Sequence, residues 1–161
     1  HPTISDGNQS NLLAASDLSE ATLETALTSI QKIKDDRGIL IGASAISLHI
    51  PVDYWAVADK VLSSPGNTGT SAADANPNTN AINAVRNMGM VPEGYFINRR
   101  LTDTDAWFVK TDAPNGTKMF IRSPLQTKME PDFDTGNLRF KARERYSFGV
   151  SDWRGFFGSA G

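Results

Sequence analysis

The stretch RFKARERYSFGVSDWRGFFGS, residues 139–159, holds the densest chemistry in the chain. Arg139, Lys141, Arg143 and Arg145 recur at every second position, the period that brings the side chains of a strand to one face. A row of cations binds phosphates by displacing counterions, or meets carboxylates across an interface. The alternate positions Leu138, Phe140, Ala142, Tyr146, Phe148 and Val150 are apolar, and Glu144 interrupts them. Aromatic and basic groups therefore fall on opposite faces, which does not make a mixed stacking platform for bases. Three readings stay open: a nucleic-acid ribbon, a salt-bridging surface between subunits or elements, and a solvated face. Interface composition favours the second. Farther on, Trp153, Phe156 and Phe157 surround Arg154 between glycines. They either plug into the core or dock on a neighbour, since Trp and Arg are favoured anchors. The candidate interface set is Arg139, Lys141, Arg143, Arg145, Trp153 and Arg154.

Other reactive residue types are sparse. DFDTGN places Asp132, Asp134 and Gly136 in a row that resembles the start of a calcium loop. An EF-hand needs its glycine one position later and a glutamate at the twelfth position, where Arg143 stands, so a turn is the better reading. His49 lies on the outward phase of a short strand, with no serine or cysteine signature beside it, and reads as a surface histidine. No phosphate-binding glycine loop, dinucleotide fingerprint, HExxH or GxSxG occurs. With no cysteine there is no thiol nucleophile or zinc-thiolate site. No cofactor or metal site is expected. Hydrolases that rely on paired carboxylates leave no short motif, and a small carboxylate-dependent hydrolase stands as an alternative. A nucleic-acid-binding module is another, although a net charge of −2 argues against a chain that coats nucleic acid.

The elements that must position these groups are legible from periodicity. LSEATLETALTSIQKIKDDRG reads as a long helix over 17–37, with Ser19 as N-cap, Leu18 and Leu23 as a staple and Gly38 as terminator. AISLHIP is a half-buried strand with Ile46, Leu48 and Ile50 inward and Ser47 and His49 outward. Pro51 closes it, and a second helix follows at about Val52 to Leu62. Residues 65–80, PGNTGTSAADANPNTN, have no side chain able to anchor them and read as a flexible surface loop. From GYFINRRL onward the period is two, so 92–150 is expected to be mainly a β meander. AWFVKT and KMFIRS flank DAPNG, whose Asn115-Gly116 pair suits a hairpin reversal. Helix and strand first, then a meander, indicate the α+β class.

The 161 residues suit one domain, and no apolar run approaches the ~20 residues of a membrane span. The chain opens at His1 with HPTISDGNQSN, which lacks the basic start and apolar stretch of a signal peptide. It reads as a fragment or a processed product.

Taken in order, four segments resemble the C-terminal part of the major capsid proteins of tailed bacteriophages and prophages, of the Mu-like major head subunit type. HPTISDGNQSN is similar to a His-Gly-Asn stretch ahead of the long helix, with Asp6 here before Gly7-Asn8. ISLHIPVDYWAVADKVLSS resembles the strand, proline and serine-ended helix. FINRRLTDTDAWFVKTD resembles the leucine, Thr-Asp, Ala-Trp passage, and DFDTGNLRFKARERYSFGVSDWRGFFGS the terminal strand with its Arg-Gly aromatic end. The resemblance implies a non-enzymatic shell subunit with the Hong Kong 97-type fold. This chain would supply mainly the axial domain and part of the peripheral one, the N-terminal arm and extended loop lying upstream of His1. It further implies other copies of the chain as partners, in pentamers and hexamers of an icosahedral head. Scaffold or portal proteins and non-specifically held packaged DNA are implied too, with the virion as location and the bacterial host cytoplasm as the place of assembly. The 65–80 loop would suit a capsomer centre or equally an unstructured exterior insertion, and the basic face of 139–145 would meet acidic neighbours while the apolar face packs inside.

Overall fold

A computed structural model describes residues 2–3, 7–66 and 82–161. Most of the 65–80 loop expectation lies outside the described residues. The first pairing is a short antiparallel bridge of β1 (Pro2–Thr3) with β2 (Gly7–Asn8). Helix α1 (Glu20–Gln31) follows. Its start is fixed by an extended Ser19, whose Oγ accepts from Thr22 N at 3.2 Å while Ser19 N donates to Thr22 Oγ1 at 2.8 Å. This reciprocal cap satisfies two helix-end donors. Ser19→Ala is expected to cost about 1 kcal/mol in thermal unfolding.

The helix is shorter than the 17–37 segment suggested by periodicity. Asp35 closes a tight turn beyond it, accepting from Arg37 N at 2.8 Å and Ile39 N at 2.9 Å. Those donors, Ile39 first, hold the Asp35 carboxyl below its usual range. Gly38, at φ 83°, serves this turn rather than the helix C-cap.

Strand β3 (Ala45–Ile50) leads through a 3-10 turn at Val52–Tyr54 into α2 (Trp55–Ser63). Beyond it come α3 (Ala84–Asn87) and β4 (Tyr95–Ile97), which runs parallel to β3. Asn83 ties this crossover together, capping α3 through Arg86 N and donating its amide to Val61 O. Next are β5 (Trp107–Thr111), β6 (Thr117–Pro131), β7 (Leu138–Val150) and β8 (Phe156–Ser159). A four-stranded mixed sheet has the order β4-β3-β5-β8, and β6-β7 form a separate two-stranded ribbon. The class is α+β.

Two expectations are corrected. The strands on either side of Asn115-Gly116 do not pair: β5 lies between β3 and β8, while β6 turns away to pair with β7. Asn115 does adopt φ 65°, but its turn redirects the chain rather than closing a hairpin. The region 92–150 is accordingly rich in strands without being a meander, because β3 intervenes between β4 and β5.

One face of the sheet carries the core. Leu23, Ala26, Leu27 and Ile30 of α1 join Leu48, Ile50, Trp107, Val109 and Phe157 of the sheet and Ala58 and Val61 of α2 in one buried cluster. The β3-β5 register shifts between Ala45 and Ser47, leaving Ile46 partly exposed, while Ser47 is buried although it shares the outward phase of His49.

Candidate functional site

The ribbon is an insertion between two neighbouring strands of the sheet. The chain leaves β5, passes Gly116, runs out along β6 and returns along β7 to enter β8 beside β5. Its thirteen-residue β7 strand extends ~43 Å at the usual rise. At the root, Ser151 N donates to Gly116 O at 3.0 Å. Gly116 and Gly155 lie back to back, so closely that a Cβ on Gly155 would stand 2.5 Å from Gly116 Cα. At the tip, Asp132 accepts from Thr135 Oγ1 at 2.8 Å and from an Arg139 guanidinium nitrogen at 2.6 Å. That carboxylate holds a turn, in agreement with the sequence reading of DFDTGN. Phe133 beside it is 100% exposed.

Between Ile121 and Gln126, β6 advances five residues while β7 advances three, from Tyr146 to Arg143. Pro124, which has no N–H to donate, sits in this bulge. Two extra residues are an even number, so the alternation stays in phase on both sides. One face therefore carries Met119, Ile121, Met129, Leu138, Phe140, Tyr146, Phe148 and Val150, each more than half exposed. Tyr146 and Phe148 meet edge to face with centroids 5.4 Å apart. Glu144 is the charge on that face. The other face carries Lys118, Lys128, Arg139, Lys141, Arg143 and Arg145, with Glu130 opposite Arg139 and an exposed Phe120 opposite Ser147.

The alternation expected over 138–150 is thus present, but its apolar side is not packed inside the subunit. Among the described residues the ribbon has no third strand to bring it against the core, and both faces stand open. An isolated two-stranded hairpin is marginal in water, and an apolar face this size asks for a cover. On the basic face, Lys128 lies directly opposite Lys141, a repulsive cross-strand pair. Lys128 leans on Glu130 and Arg139 on Asp132, whereas Lys141, Arg143 and Arg145 make no ion pair among the described residues. Residues 117–150 hold seven Lys and Arg against four Asp and Glu, and the rest of the chain holds nine against fourteen. Ribbon and body carry opposite charge.

Sequence reasoning missed the β6 half of this surface, namely Lys118 and Lys128 on one face and Met119, Ile121 and Met129 on the other. The available signal was the matching period-two pattern on either side of DFDTGN.

Arg154 and Trp153 are elsewhere. The Arg154 side chain is 12% exposed, donating from Nε to Lys34 O at 3.1 Å and pairing with Asp36 at 2.9 Å and Asp152 at 3.4 Å. Its guanidinium also covers the Trp153 ring, 4.7 Å from the centroid. Trp153 packs partly buried against the core. Both make contacts inside the subunit, whereas Arg139, Lys141, Arg143 and Arg145 stand exposed on the ribbon.

A family profile described as phage capsid protein matches residues 1–158. The chain belongs to the phage capsid protein family. Its role is that of a structural capsid subunit, which assembles with copies of itself into the shell of the virion. A comparison with curated proteins finds no match. No described helix is long and apolar enough to cross a membrane.

The other titratable groups of this capsid protein lie away from the ribbon. Asp103 and Asp105 share a hydrogen bond between their carboxyls, which lowers Asp103 and raises Asp105. They stand on an exposed loop. The open concavity of about 520 Å³ at the ribbon root, walled by Thr117–Met119 and Phe148–Val150, contains no carboxylate. His49 is better partnered than its strand position suggested. It is half-buried, stacks on Phe96 with centroids 5.5 Å apart and lies 3.2 Å from Ser47 Oγ through Nε2. Burial lowers its pKa from the ordinary 6.5, Lys110 lowers it further and Glu93 opposes. The unfolded chain therefore holds the His49 proton more tightly than the folded one. Stability from this group is complete above pH 6.5 and is lost as the pH falls from there toward the folded value. His49→Phe is expected to flatten that part of the profile in urea unfolding measured stepwise through pH 6.5.

Proposed function

We propose that this chain is part of the major subunit of an icosahedral phage head, of the Mu-like type with a Hong Kong 97-type fold. In this reading it supplies mainly the axial domain and part of the peripheral one, and the β6-β7 ribbon is the arm through which one subunit grips the next. The carrying observation is the ribbon itself: about a fifth of the chain extended with both faces uncovered by its own body. A mixed α+β body with such an arm suits a fold that builds shells by overlap. Segregated charge gives the contacts direction, since a basic ribbon meeting an acidic body is heterologous and closes into pentamers and hexamers. The role is non-enzymatic, with assembly in the host cytoplasm. Scaffold and portal proteins would meet the finished rings, and packaged DNA would be held without sequence preference.

Electron microscopy of the complete gene product, wild type and Arg143→Glu, tests the reading. Wild type is expected to form shells or rings. Arg143→Glu is expected to lower their yield about ten-fold with unchanged thermal unfolding, because an exposed cation facing a neighbour affects association rather than folding. A strictly monomeric wild type across salt and concentration removes the proposal, and unchanged assembly of the variant removes the basic face from it.

A further inference from the structure

The ribbon is not the only uncovered apolar surface. Across the four-stranded sheet, on the side away from the core, the register sets Phe96, His49 and Phe108 in one row, with Phe108 lying over Gly158. In the next row Lys110 stands beside Phe156, whose ring is 6.1 Å from that of His49. Phe96 is 49% exposed and the others are half-buried, so this shelf is open among the described residues.

Shelf and ribbon correspond in chemistry and spacing. On the ribbon, Glu144 stands two residues from Tyr146 along one face; on the shelf, Lys110 stands two residues from Phe108. Each apolar surface thus carries a charged residue about 7 Å along the strand from an aromatic one, and the two charges are opposite. Neither Glu144 nor Lys110 makes an ion pair among the described residues. The five-residue root of the ribbon, Thr117–Ile121 against Tyr146–Val150, is ~17 Å long. Four strands spaced by about 4.8 Å make a sheet of similar width. The ribbon and the shelf of one copy do not meet, since the ribbon's apolar side is exposed.

Resting on the shell-subunit reading above, we infer that the apolar face of one copy's ribbon packs across the outer aromatic face of a neighbouring copy's sheet, with Glu144 set against Lys110. The contact is a two-layer β sandwich divided between chains. It leaves the basic face of the ribbon outward, available to a further acidic surface. The occupant is a second copy because a shell of identical subunits presents both surfaces many times over and because the charges on the two faces complement each other.

These 161 residues contain no cysteine, and cysteines elsewhere in the complete protein are replaced by serine for the cross-linking. The complete capsid protein carrying Glu144→Cys and Lys110→Cys is assembled, treated with a bismaleimide that spans ~10 Å, the spacing of packed sheets, and run on a denaturing gel. A ladder of covalent oligomers is expected, absent from either single variant. In parallel, Glu144→Lys is expected to lower shell yield about ten-fold, and the exchange Glu144→Lys with Lys110→Glu to restore it to within about three-fold of wild type. Shells that form without a ladder, or single reversals that assemble like wild type, overturn the inference and leave the shell reading intact. A cross-link confined to single chains overturns it in favour of a ribbon folded back on its own sheet. Absence of shells from the wild-type protein removes the shell reading and the inference together.

Discussion

Gly155→Ala is expected to lower the stability of the subunit by about 3 kcal/mol, the upper end of overpacking costs, and to prevent orderly assembly. Gly155 is buried at the root of the ribbon and adopts no left-handed conformation, so space decides the outcome. Its added Cβ would stand 2.5 Å from Gly116 Cα and 3.4 Å from Gly116 C, all backbone. A flexible side chain can turn aside from an intruding methyl group, but a backbone cannot. The clash is relieved only by moving Gly116, and with it the start of β6, against the turn that enters β8. A small rotation at the root displaces the tip, ~43 Å away, by several ångströms. Gly149→Ala is the control within the same ribbon. Its Cβ would meet the Phe120 ring at 3.6 Å, an ordinary contact, and its unfolding is expected to stay within about 0.5 kcal/mol of wild type. Thermal unfolding of the unassembled subunit and micrographs of the assembled protein measure the two effects separately. A Gly155→Ala protein as stable as wild type would mean that the root has slack, and that the ribbon's direction is set elsewhere.

What could be read from the sequence divides along a physical line. Local chemistry was legible: the Ser19 cap, the strand closed by Pro51 and followed by α2, and the two-faced pattern of 138–150 all depend on neighbours within a few residues. Pairing between distant strands was not. Asn115-Gly116 carries the turn chemistry of a hairpin, yet β5 finds its partners in β3 and β8, because Trp107 and Val109 bury against α1 and α2 only from the centre of the sheet. Period-two apolarity in β7 is the same whether its apolar side faces a core or another molecule. Only the absence of a third strand beside the ribbon distinguishes these, and that is a property of topology. Ser47 shows the same limit on a smaller scale, since it is buried although it keeps the outward phase that its position in β3 suggested, beside His49 and opposite Lys110. Asp132, by contrast, was read correctly as a turn residue, because its partners Thr135 and Arg139 are close in sequence.

Arg154 illustrates a residue whose type suggests one role and whose surroundings impose another, and Arg154→Leu is expected to cost the unassembled subunit about 3 kcal/mol. The guanidinium ties the 34–36 segment to the entry of β8, far apart in the chain. It donates to the Lys34 carbonyl just beyond α1, pairs with Asp36 in the following turn and braces Asp152 at the entry to β8. Its own carbonyl accepts from Thr111 Oγ1 at the end of β5. Leucine keeps much of the packing over Trp153 but leaves the Lys34 carbonyl without this donor. The Asp36 side chain is 70% exposed and regains water when its partner is lost, which keeps the cost below that of a fully buried pair. Arg154→Lys retains the charge without the planar fork, and one ammonium cannot reach all three acceptors in their present directions. An intermediate loss of about 2 kcal/mol is expected. Urea unfolding at low concentration, where no assembly occurs, separates the two roles that its type allows. An arginine acting between subunits would leave that transition unchanged and weaken only shell formation. A clamp within the subunit moves the transition itself, and shell yield then falls with the fraction of folded chains.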